Sequence, residues 1–348
     1  MNNNFFIHNT EIGINQPAYI IAEVAQAHDG SLGFAHSFID AASEAGADAV
    51  KFQTHIADAE STKNEKFRVN FSHQDASRYD YWKRMEFTPE QWSGLADHAK
   101  DRNIAFLSSP FSITAFNILN KIGMPAWKIA SGEYGNKVLI DKIISTNQPI
   151  LISSGMSSWF EIDSIVNLLN ANNLNFCLMQ CTSEYPTKFS RVGLNLLNEF
   201  RSRYNCITGL SDHSGSIYPS IFALALGASI IEVHLTLSKH MFGPDVRSSV
   251  DFDQLKKIVE ARNVFYELSS SPVDKDKMAA DLSAMKDTFG RSLALTKNLE
   301  KHHILTKQDL TLKKPGGGIP YDMIHTIIGK RLLRSVKKNV LLKFEDLA

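Results

Sequence analysis

Two lysines interrupt short apolar runs of the sequence, Lys51 in AVKFQ and Lys128 in AWKIAS. A lysine inside such a run cannot easily extend its ammonium group to solvent, so it needs a partner inside the protein. Serines lie near the ends of similar runs, at Ser109, Ser131 and Ser153. Two ammonium groups and several hydroxyl donors together suit a phosphate group. The sequence therefore predicts a local phosphate pocket.

Two histidines end consecutive apolar runs further along the chain, His213 after ITGLSD and His234 in IIEVH. Adjacent strands lie about 4.8 Å apart, so both imidazoles can reach one ion. Two neutral imidazoles with carboxylates or water suit a divalent first-row metal, and the alternative is a pair of buried, hydrogen-bonded histidines. Carboxylates beside these cations are candidates for general acid–base chemistry. They are Glu23, Glu133, Asp212 and Asp245.

Strands are needed to bring these side chains together, and short apolar runs supply eight candidates. The predicted strands are YIIAEV (19–24), AVKFQ (49–53), IAFLSS (104–109), AWKIAS (126–131), PILISS (149–154), FCLMQC (176–181), ITGLS (207–211) and IIEVH (230–234). Segments of helical period separate them, a pattern typical of βαβ units and a parallel sheet. Eight repeats over about 250 residues predict a (β/α)8 barrel, with a doubly wound open sheet as the alternative. Active sites of such barrels lie at the C-terminal ends of the strands, where the polar residues stand.

Residues 54–87 separate the second predicted strand from its helix, far more than the usual loop of about two to six residues. An insertion at this end of a barrel is typically a lid or binding loop, and the alternative is a surface excursion. The sequence predicts a barrel over 1–268, a polar connector over 269–288 and a small, mostly β domain over 289–348. A domain of that size needs a partner to pack against.

The composition is that of an ordinary soluble protein, with 43% apolar residues and 37 basic against 37 acidic residues. A net charge of zero gives no general attraction to nucleic acid or to an anionic membrane. The N-terminal segment MNNNFFIHNTEIG has no signal-peptide pattern, so a cytoplasmic location is expected. Three cysteines, Cys177, Cys181 and Cys206, predict buried thiols rather than disulfides.

A series of motifs runs through the chain in order: IAEVAQAHDGSLGFAHSFIDAASEAGADAVKFQTH, FLSSPF, KIASGE, LISSGM, QCTSEYPT, GLSDHSG, EVHLTL and GPDVRSSV. Their types and order resemble those of the sialic acid synthases, the phosphoenolpyruvate-dependent synthases of nonulosonic acids. The tail, with RSLALTKNLEKHHILTKQDLTLKKPGGGIP and IIGKRLLRSV, resembles the C-terminal antifreeze-like (SAF) domain of that family. The resemblance thus covers essentially the whole chain.

The resemblance implies a (β/α)8 barrel with a β-clip tail, in a domain-swapped homodimer. It implies that phosphoenolpyruvate condenses with an N-acetylmannosamine-type sugar and that phosphate is lost. The catalytic residues it implies are Glu133, Glu23, His213 and His234. The two histidines are implied to bind a divalent cation, with Mn²⁺ as the first choice and Mg²⁺ or Co²⁺ as alternatives. The implied phosphoenolpyruvate-binding residues are Lys51, Lys128, Ser109, Ser131, Ser153, Ser183 and Ser211. The implied sugar-binding residues are Gln53, Tyr185, Asp245 and Lys314.

Three positions depart from the family pattern. Ala27 replaces an asparagine before the histidine of the first motif, Val246 replaces a histidine in GPDV, and Lys314 replaces a tail-domain arginine. A lysine offers a point charge where arginine offers a fork of donors, so the acceptor sugar stays open. Legionaminic or pseudaminic acid synthesis is one alternative, and 3-deoxy-octulosonate or heptulosonate phosphate synthesis another. A non-catalytic sugar-binding protein is the third.

Overall fold

The computed structural model describes residues 4–67 and 71–348. The strands are β1 (Phe5–Ile7), β2 (Thr10–Ile12), β3 (Tyr19–Ala25), β4 (Ala49–Thr54), β5 (Ala105–Pro110), β6 (Trp127–Ile129), β7 (Ile150–Ser153), β8 (Phe176–Cys181), β9 (Ile207–Asp212), β10 (Ile230–Leu235), β11 (Ser249–Val250), β12 (Ser292–Leu295) and β13 (Leu310–Lys313). The helices are α1 (Leu32–Glu44), α2 (Ala57–Glu60), α3 (Arg78–Met85), α4 (Pro89–Asp101), α5 (Ile113–Ile122), α6 (Lys137–Ile144), α7 (Trp159–Ala171), α8 (Asn195–Tyr204), α9 (Tyr218–Ala225), α10 (Phe252–Ser270), α11 (Lys275–Asp281), α12 (Ser283–Phe289) and α13 (Ile324–Ile327).

Eight parallel strands form a nearly closed barrel in the order β5-β4-β3-β10-β9-β8-β7-β6. The first barrel strand, β3, pairs with the last, β10, and this ring order confirms the predicted barrel over the open sheet. All eight predicted strands are present, with ends that differ by one or two residues. Helices pack outside because alternate residues of each strand face them, as Val50 and Phe52 of β4 do in the outer core.

The inward faces of the strands change from apolar to polar along the barrel axis. Tyr19, Ile21, Leu107, Leu151 and Met179 belong to one apolar cluster inside the lower barrel. Because side chains alternate across a strand, the next inward position of β3 after Ile21 is Glu23. The lower interior is therefore a packed core, and the polar side chains are confined to the C-terminal end.

An N-terminal hairpin that the sequence did not predict adds to this inner core. β1 and β2 pair antiparallel, with Phe5 opposite Ile12. Phe5, Ile7 and Ile12 are buried in the same cluster as the lower barrel residues. The hairpin therefore closes the base of the barrel. Residues 1–3 lie outside the described residues.

The 54–87 insertion has structure of its own, apart from residues 68–70, which lie outside the described residues. It contains α2 and α3, and a capping box of Ser77 and Asp80 begins α3. Tyr81, Trp82 and Met85 of α3 pack with Ala57 of α2 in a separate apolar cluster. The insertion thus contains two short helices and a small apolar cluster of its own.

The described chain divides into two compact units, Met1–Ser270 and Ser271–Ala348. The segment predicted as a connector contains two short helices, α11 and α12. Its polar composition without a strand-like run predicted a connector, and in the structure Asp274 caps α11 through the backbone amides of Asp276 and Lys277. None of the described helices has the length and apolar content that a membrane span requires.

The second unit has less strand than the sequence predicted. Only β12 and β13 pair as a regular antiparallel ladder among its described residues, and isolated bridges such as Leu299 with Val336 complete the β structure. Leu293, Leu295 and Leu332 are among the buried residues of its own core. Part of the remaining chain forms short turns instead of strands. Two of these are 3₁₀ turns that begin with a capping box and carry Asp309 and Asp346.

The Asp309 carboxylate is buried in this unit and accepts from the Thr306 amide at 2.9 Å and the Thr306 hydroxyl at 2.7 Å. His303 Nε2 lies 3.0 Å and Lys297 Nζ 3.0 Å from its oxygens. Burial alone would raise the pKa of Asp309, but the hydrogen bonds from His303 and Thr306 and the Lys297 ammonium outweigh it and lower this pKa. The ionised form therefore stabilises the fold.

We expect Asp309→Asn to destabilise the second unit by about 1–3 kcal/mol near neutral pH, because charged hydrogen bonds are lost. A lowered folded-state pKa gives stability that is present above the unfolded value of about 3.9 and is lost as pH falls toward the folded value. The difference between wild type and variant should therefore shrink below about pH 4. Hydrogen exchange of the Thr306 and Leu310 amides in the full chain measures this difference in local stability. Asp322→Asn, at an exposed position, is the control; equal effects of the two variants would contradict the assignment.

Candidate active site

Four ionisable side chains, one each from β3, β4, β6 and β10, form a buried layer just above the apolar core. Lys51 Nζ lies 2.7 Å from Glu23 Oε2 and 3.6 Å from Glu232 Oε1. Lys128 Nζ lies 3.6 Å from the same Glu232 oxygen. All four side chains are buried. Two positive charges therefore share two carboxylates, and we call this set the lysine layer: Glu23, Lys51, Lys128 and Glu232.

Hydroxyl groups complete the lysine layer. Lys128 donates to Ser153 Oγ at 2.6 Å, and Lys51 approaches Ser109 Oγ at 3.5 Å. Ser211 Oγ donates to Glu232 Oε1 at 3.2 Å. The structure thus brings together five of the residues predicted to bind phosphoenolpyruvate, from five different strands: Lys51, Ser109, Lys128, Ser153 and Ser211.

Burial and charge act against each other in the lysine layer. Burial opposes the charge of Lys51, but Glu23 and Glu232 outweigh this and raise the pKa of Lys51. Burial would raise the pKa of Glu232, whereas Lys128 and Lys51 lower it, so this carboxyl stays ionised. For Glu23, burial dominates and raises the pKa despite the Lys51 contact. An anion that enters the layer meets two ammonium groups held in place by carboxylates.

Two more predicted residues, Ser131 and Ser183, meet beside this layer, with 2.9 Å between their hydroxyl oxygens. Gly155 makes this approach possible because its φ is +40° and a Cβ there would stand 2.0 Å from Ser131 Cβ and 2.7 Å from Ser183 Oγ. Any side chain at this position would fill the space between the two serines. The LISSGM motif therefore needs glycine for close packing.

The two predicted metal-binding histidines lie side by side, with ring centroids 5.1 Å apart. His213 Nδ1 lies 2.8 Å from the Thr182 carbonyl, which fixes Nδ1 as the donor and leaves Nε2 as an acceptor. Tyr185 stacks on the His213 ring at 4.2 Å, and its hydroxyl lies 3.2 Å from Nε2. Burial lowers the pKa of both His213 and His234, so both are neutral imidazoles.

The residues present fit a divalent cation. His234 Nδ1 is a buried nitrogen without a hydrogen-bond partner among the described residues, and Asp245 Oδ2 is 3.9 Å away. The carbonyl contact at His213 Nδ1 is the outer-shell arrangement that orients a ligating imidazole. No group of three or more His, Cys, Asp or Glu side chains converges on one point within the described ranges. The pair would supply two ligands, and water or substrate the others.

Glu133 lies on the turn that follows β6 and is half-buried. Asn136 Nδ2 donates to Glu133 Oε2 at 2.8 Å. Burial raises the pKa of Glu133, and the Asn136 contact only partly offsets this. A carboxyl with a raised pKa at a barrel mouth is a candidate for proton transfer. The carboxylate of Asp212, a further candidate, instead accepts hydrogen bonds from the Ser214 amide and the Ser214 hydroxyl, which is a local structural role.

Gln53 stands beyond Lys51 on the same inward face of β4, and its Nε2 donates to Glu23 Oε1 at 2.8 Å. Of the three departures from the family pattern, Ala27 is buried in the outer core and Val246 is buried in the turn before β11. Lys314 belongs to the second unit, where its Nζ lies 5.5 Å from the Phe289 ring centroid. Glu232 is the member of the site that the sequence reasoning missed.

Arg84 of α3 ties the insertion to the loop that follows β3. It donates to Asp29 Oδ1 at 2.7 Å and to both oxygens of Asp75 at 2.9 and 2.8 Å. We expect Arg84→Met to increase the rate of proteolytic cleavage within the insertion about tenfold, since charged hydrogen bonds contribute about 1.5–3 kcal/mol each before solvent screening. Lys63→Met, at an exposed position of the same insertion, is the control. A rate equal to that of the control would contradict this role.

Comparisons with known proteins identify the family of this chain. The NeuB family model matches residues 38–272, and the SAF domain model matches residues 290–348. N,N'-diacetyllegionaminic acid synthase of Campylobacter jejuni is 33% identical over 332 residues, 93% of this chain and 98% of the relative. N-acetylneuraminate-9-phosphate synthase of Homo sapiens is 31% identical, over 94% of this chain and 92% of the relative. The crystal structure of N-acetylneuraminic acid (sialic acid) synthetase from Leptospira borgpetersenii, with citrate, has a TM-score of 0.72 at 27% identity and covers 83% of this chain and 98% of that one.

Proposed function

The chain belongs to the NeuB family, and we propose that it is a phosphoenolpyruvate-dependent nonulosonic acid synthase. In this reaction the enzyme, a transferase, condenses phosphoenolpyruvate with an N-acetylmannosamine-type sugar to give a sialic acid-like product and phosphate. The observation that carries the proposal is the buried lysine layer with the His213–His234 pair beside it at one barrel mouth. An anionic donor and a neutral acceptor sugar fit these two neighbouring environments.

The lysine layer would hold the anionic donor. Lys51 and Lys128 each stand 3.6 Å from Glu232, longer than the roughly 2.8 Å of a strong charged hydrogen bond. A phosphate or carboxylate oxygen can therefore make closer contacts with both ammonium groups than Glu232 does. Ser109, Ser153 and Ser211 supply hydroxyl donors around them, and Ser131 with Ser183 extends the donor set. Fixed donors of this kind also orient the enol for reaction.

The reaction balances without an outside oxidant or reductant. C3 of the enol forms a bond to the aldehyde carbon of the open-chain sugar, water supplies the new oxygen at C2, and phosphate leaves by C–O cleavage. Glu133 is suited to hold and move the proton at the acceptor oxygen, because it is half-buried and its pKa is raised. When bound by His213 and His234, a divalent cation such as Mn²⁺ would supply Lewis-acid polarisation of the acceptor carbonyl.

Sequence identity does not distinguish between acceptor sugars, because relatives named for different products are 33% and 31% identical to this chain. The acceptor therefore has to be identified by experiment. Phosphate release should be measured with phosphoenolpyruvate and Mn²⁺ over a panel of acceptors. The panel contains N-acetylmannosamine, its 6-phosphate, a diacetamido-trideoxy hexose and arabinose 5-phosphate. Release with one of the first three supports the proposal, and release with arabinose 5-phosphate alone would favour the octulosonate reaction. If no phosphate is released with any acceptor, the non-catalytic sugar-binding protein becomes the favoured alternative.

The homodimer and the cytoplasmic location stay predictions. The dimer would give the small second unit a partner to pack against, which its size calls for.

A further inference from the structure

The insertion reaches the loop after β10 through ring contacts of Phe242. The ring centroid of Phe242 lies 6.2 Å from that of Phe71 and 5.8 Å from that of His73. Phe71 and His73 belong to the insertion after β4, and β4 and β10 both pair with β3. The connections that follow these two strands therefore meet beyond the C-terminal end of β3, at the mouth of the barrel.

Phe71 is a firm support for this contact. Tyr81 of α3 meets the Phe71 ring edge-on, with centroids 5.0 Å apart and an interplanar angle of 86°, and Phe67 does so at 5.3 Å and 77°. Tyr81 is only 3% exposed and belongs to the apolar cluster of α2 and α3. Rings in such arrangements attract each other beyond the area they bury, so Phe71 is fixed to the helices of the insertion.

Phe242 lies three residues before Asp245, in a loop that is held to the barrel on both sides of this segment. Met241 packs against the outer core, and the Asp245 carbonyl accepts from the Ser248 amide at 2.9 Å. Between them, Gly243 has a φ of +145°, in the region open mainly to glycine. Because glycine has no side chain to pack, the Phe242 ring supports this short segment from the side of the insertion.

Asp245 is close both to the histidine pair and to the insertion. Its Oδ2 lies 3.9 Å from His234 Nδ1. Burial, and after it the charge of Asp245, raises the pKa of Tyr81 in the insertion. A displacement of the loop after β10 would therefore move this carboxylate relative to the imidazoles, where the acceptor carbonyl is proposed to react.

We infer that Phe242 is a positioning residue, whose ring contacts with Phe71 and His73 hold the loop after β10 against the insertion and thereby keep Asp245 in place for the acceptor sugar. The inference rests on the proposed function and on the expected role of Asp245 in acceptor binding. It gives the insertion a part in acceptor binding that is separate from the lysine layer.

The test is steady-state kinetics of Phe242→Ala with the acceptor that the wild type uses. We expect the acceptor KM to rise about three- to tenfold, the effect of losing an aromatic contact, with kcat within about twofold. The Kd for phosphoenolpyruvate, measured by titration calorimetry, should not change. Phe242→Tyr keeps the ring and should keep the wild-type KM. Phe160→Ala, at an exposed phenylalanine of α7, is the matched control and should leave all three values unchanged.

A double-mutant cycle separates positioning from general damage to the fold. If Phe242 acts through Asp245, the double variant Phe242→Ala with Asp245→Asn should have the same acceptor KM as Asp245→Asn alone. Phe71→Ala removes the ring on the insertion side and covers the case in which Phe242→Ala does not fold; it should raise the acceptor KM about threefold. An unchanged acceptor KM in both alanine variants, or additive effects in the cycle, would overturn the inference while leaving the proposed function intact. A wild type that turns over no acceptor would refute the proposed function and this inference with it.

Discussion

Lys128→Met is expected to lower kcat/KM for phosphoenolpyruvate by about 10²- to 10³-fold. Loss of one partner from a buried charge set costs about 3–5 kcal/mol, and each 1.4 kcal/mol is a factor of ten. Methionine matches the length of the lysine stem, so the packing around β6 is kept while the ammonium group is removed. The substitution removes the hydrogen bond to Ser153 Oγ at 2.6 Å and the ion pair with Glu232 Oε1 at 3.6 Å. Phosphate release and calorimetric titration with phosphoenolpyruvate measure the effect.

The variant also leaves Glu232 with Lys51 as its single ammonium partner in the described structure, and this alone will reduce stability. The double variant Lys128→Met with Glu232→Gln removes the excess negative charge. It should recover most of the lost thermal stability but none of the affinity for phosphoenolpyruvate. Lys142→Met, at an exposed position of α6, controls for the loss of any lysine. Restored binding in the double variant would show that Lys128 only neutralises Glu232.

His234→Ala should abolish metal-dependent condensation, a loss of at least about 10³-fold in kcat, because it removes one of the two imidazoles proposed to bind the metal. The fold should persist, since His234 Nδ1 has no hydrogen-bond partner in the described structure whose loss would cost stability. Phosphate release with added Mn²⁺ measures the activity. Calorimetric titration with Mn²⁺ alone, at a buffered pH near neutrality, measures the binding that should be lost.

His240→Ala is the matched control for this prediction, since it lies on the loop after β10 and is exposed. His234→Asn, which keeps a polar group of smaller size, serves if the alanine variant is unstable. Wild-type activity in His234→Ala, with Mn²⁺ present, would contradict the metal assignment. Intact Mn²⁺ binding without activity would instead place His234 at the substrate.

The barrel could be predicted because each strand carries its own signal. The run YIIAEV is apolar on both faces, as in a strand of a parallel sheet, and the structure places β3 there at Tyr19–Ala25. The mouth could be predicted for the same reason, since polar residues mark the strand ends. The described structure agrees with this expectation, because Lys51 lies close to Ser109 and Lys128 donates to Ser153.

Glu232 shows what the sequence reasoning overlooked. It stands in IIEVH two residues before His234, so period-two alternation puts it on the same inward face. That signal was present, but its meaning depends on Lys51 and Lys128, which lie on distant strands. The hairpin β1–β2 and the helices α11 and α12 are harder cases. They are short and marginal on local propensity, so tertiary contacts and caps decide them.

The hairpin at the base of the barrel has a consequence for the order of events. Phe5, Ile7 and Ile12 are buried in one apolar cluster with the strand residues that lie below the lysine layer. A molecule bound between Lys51 and Lys128 must arrive and depart past the level of Gln53 and the insertion. If the anionic donor binds there as proposed, it has to bind before the acceptor occupies the level of Gln53, because the acceptor then covers it. The barrel thereby imposes a sequence on binding and release that no single side chain encodes.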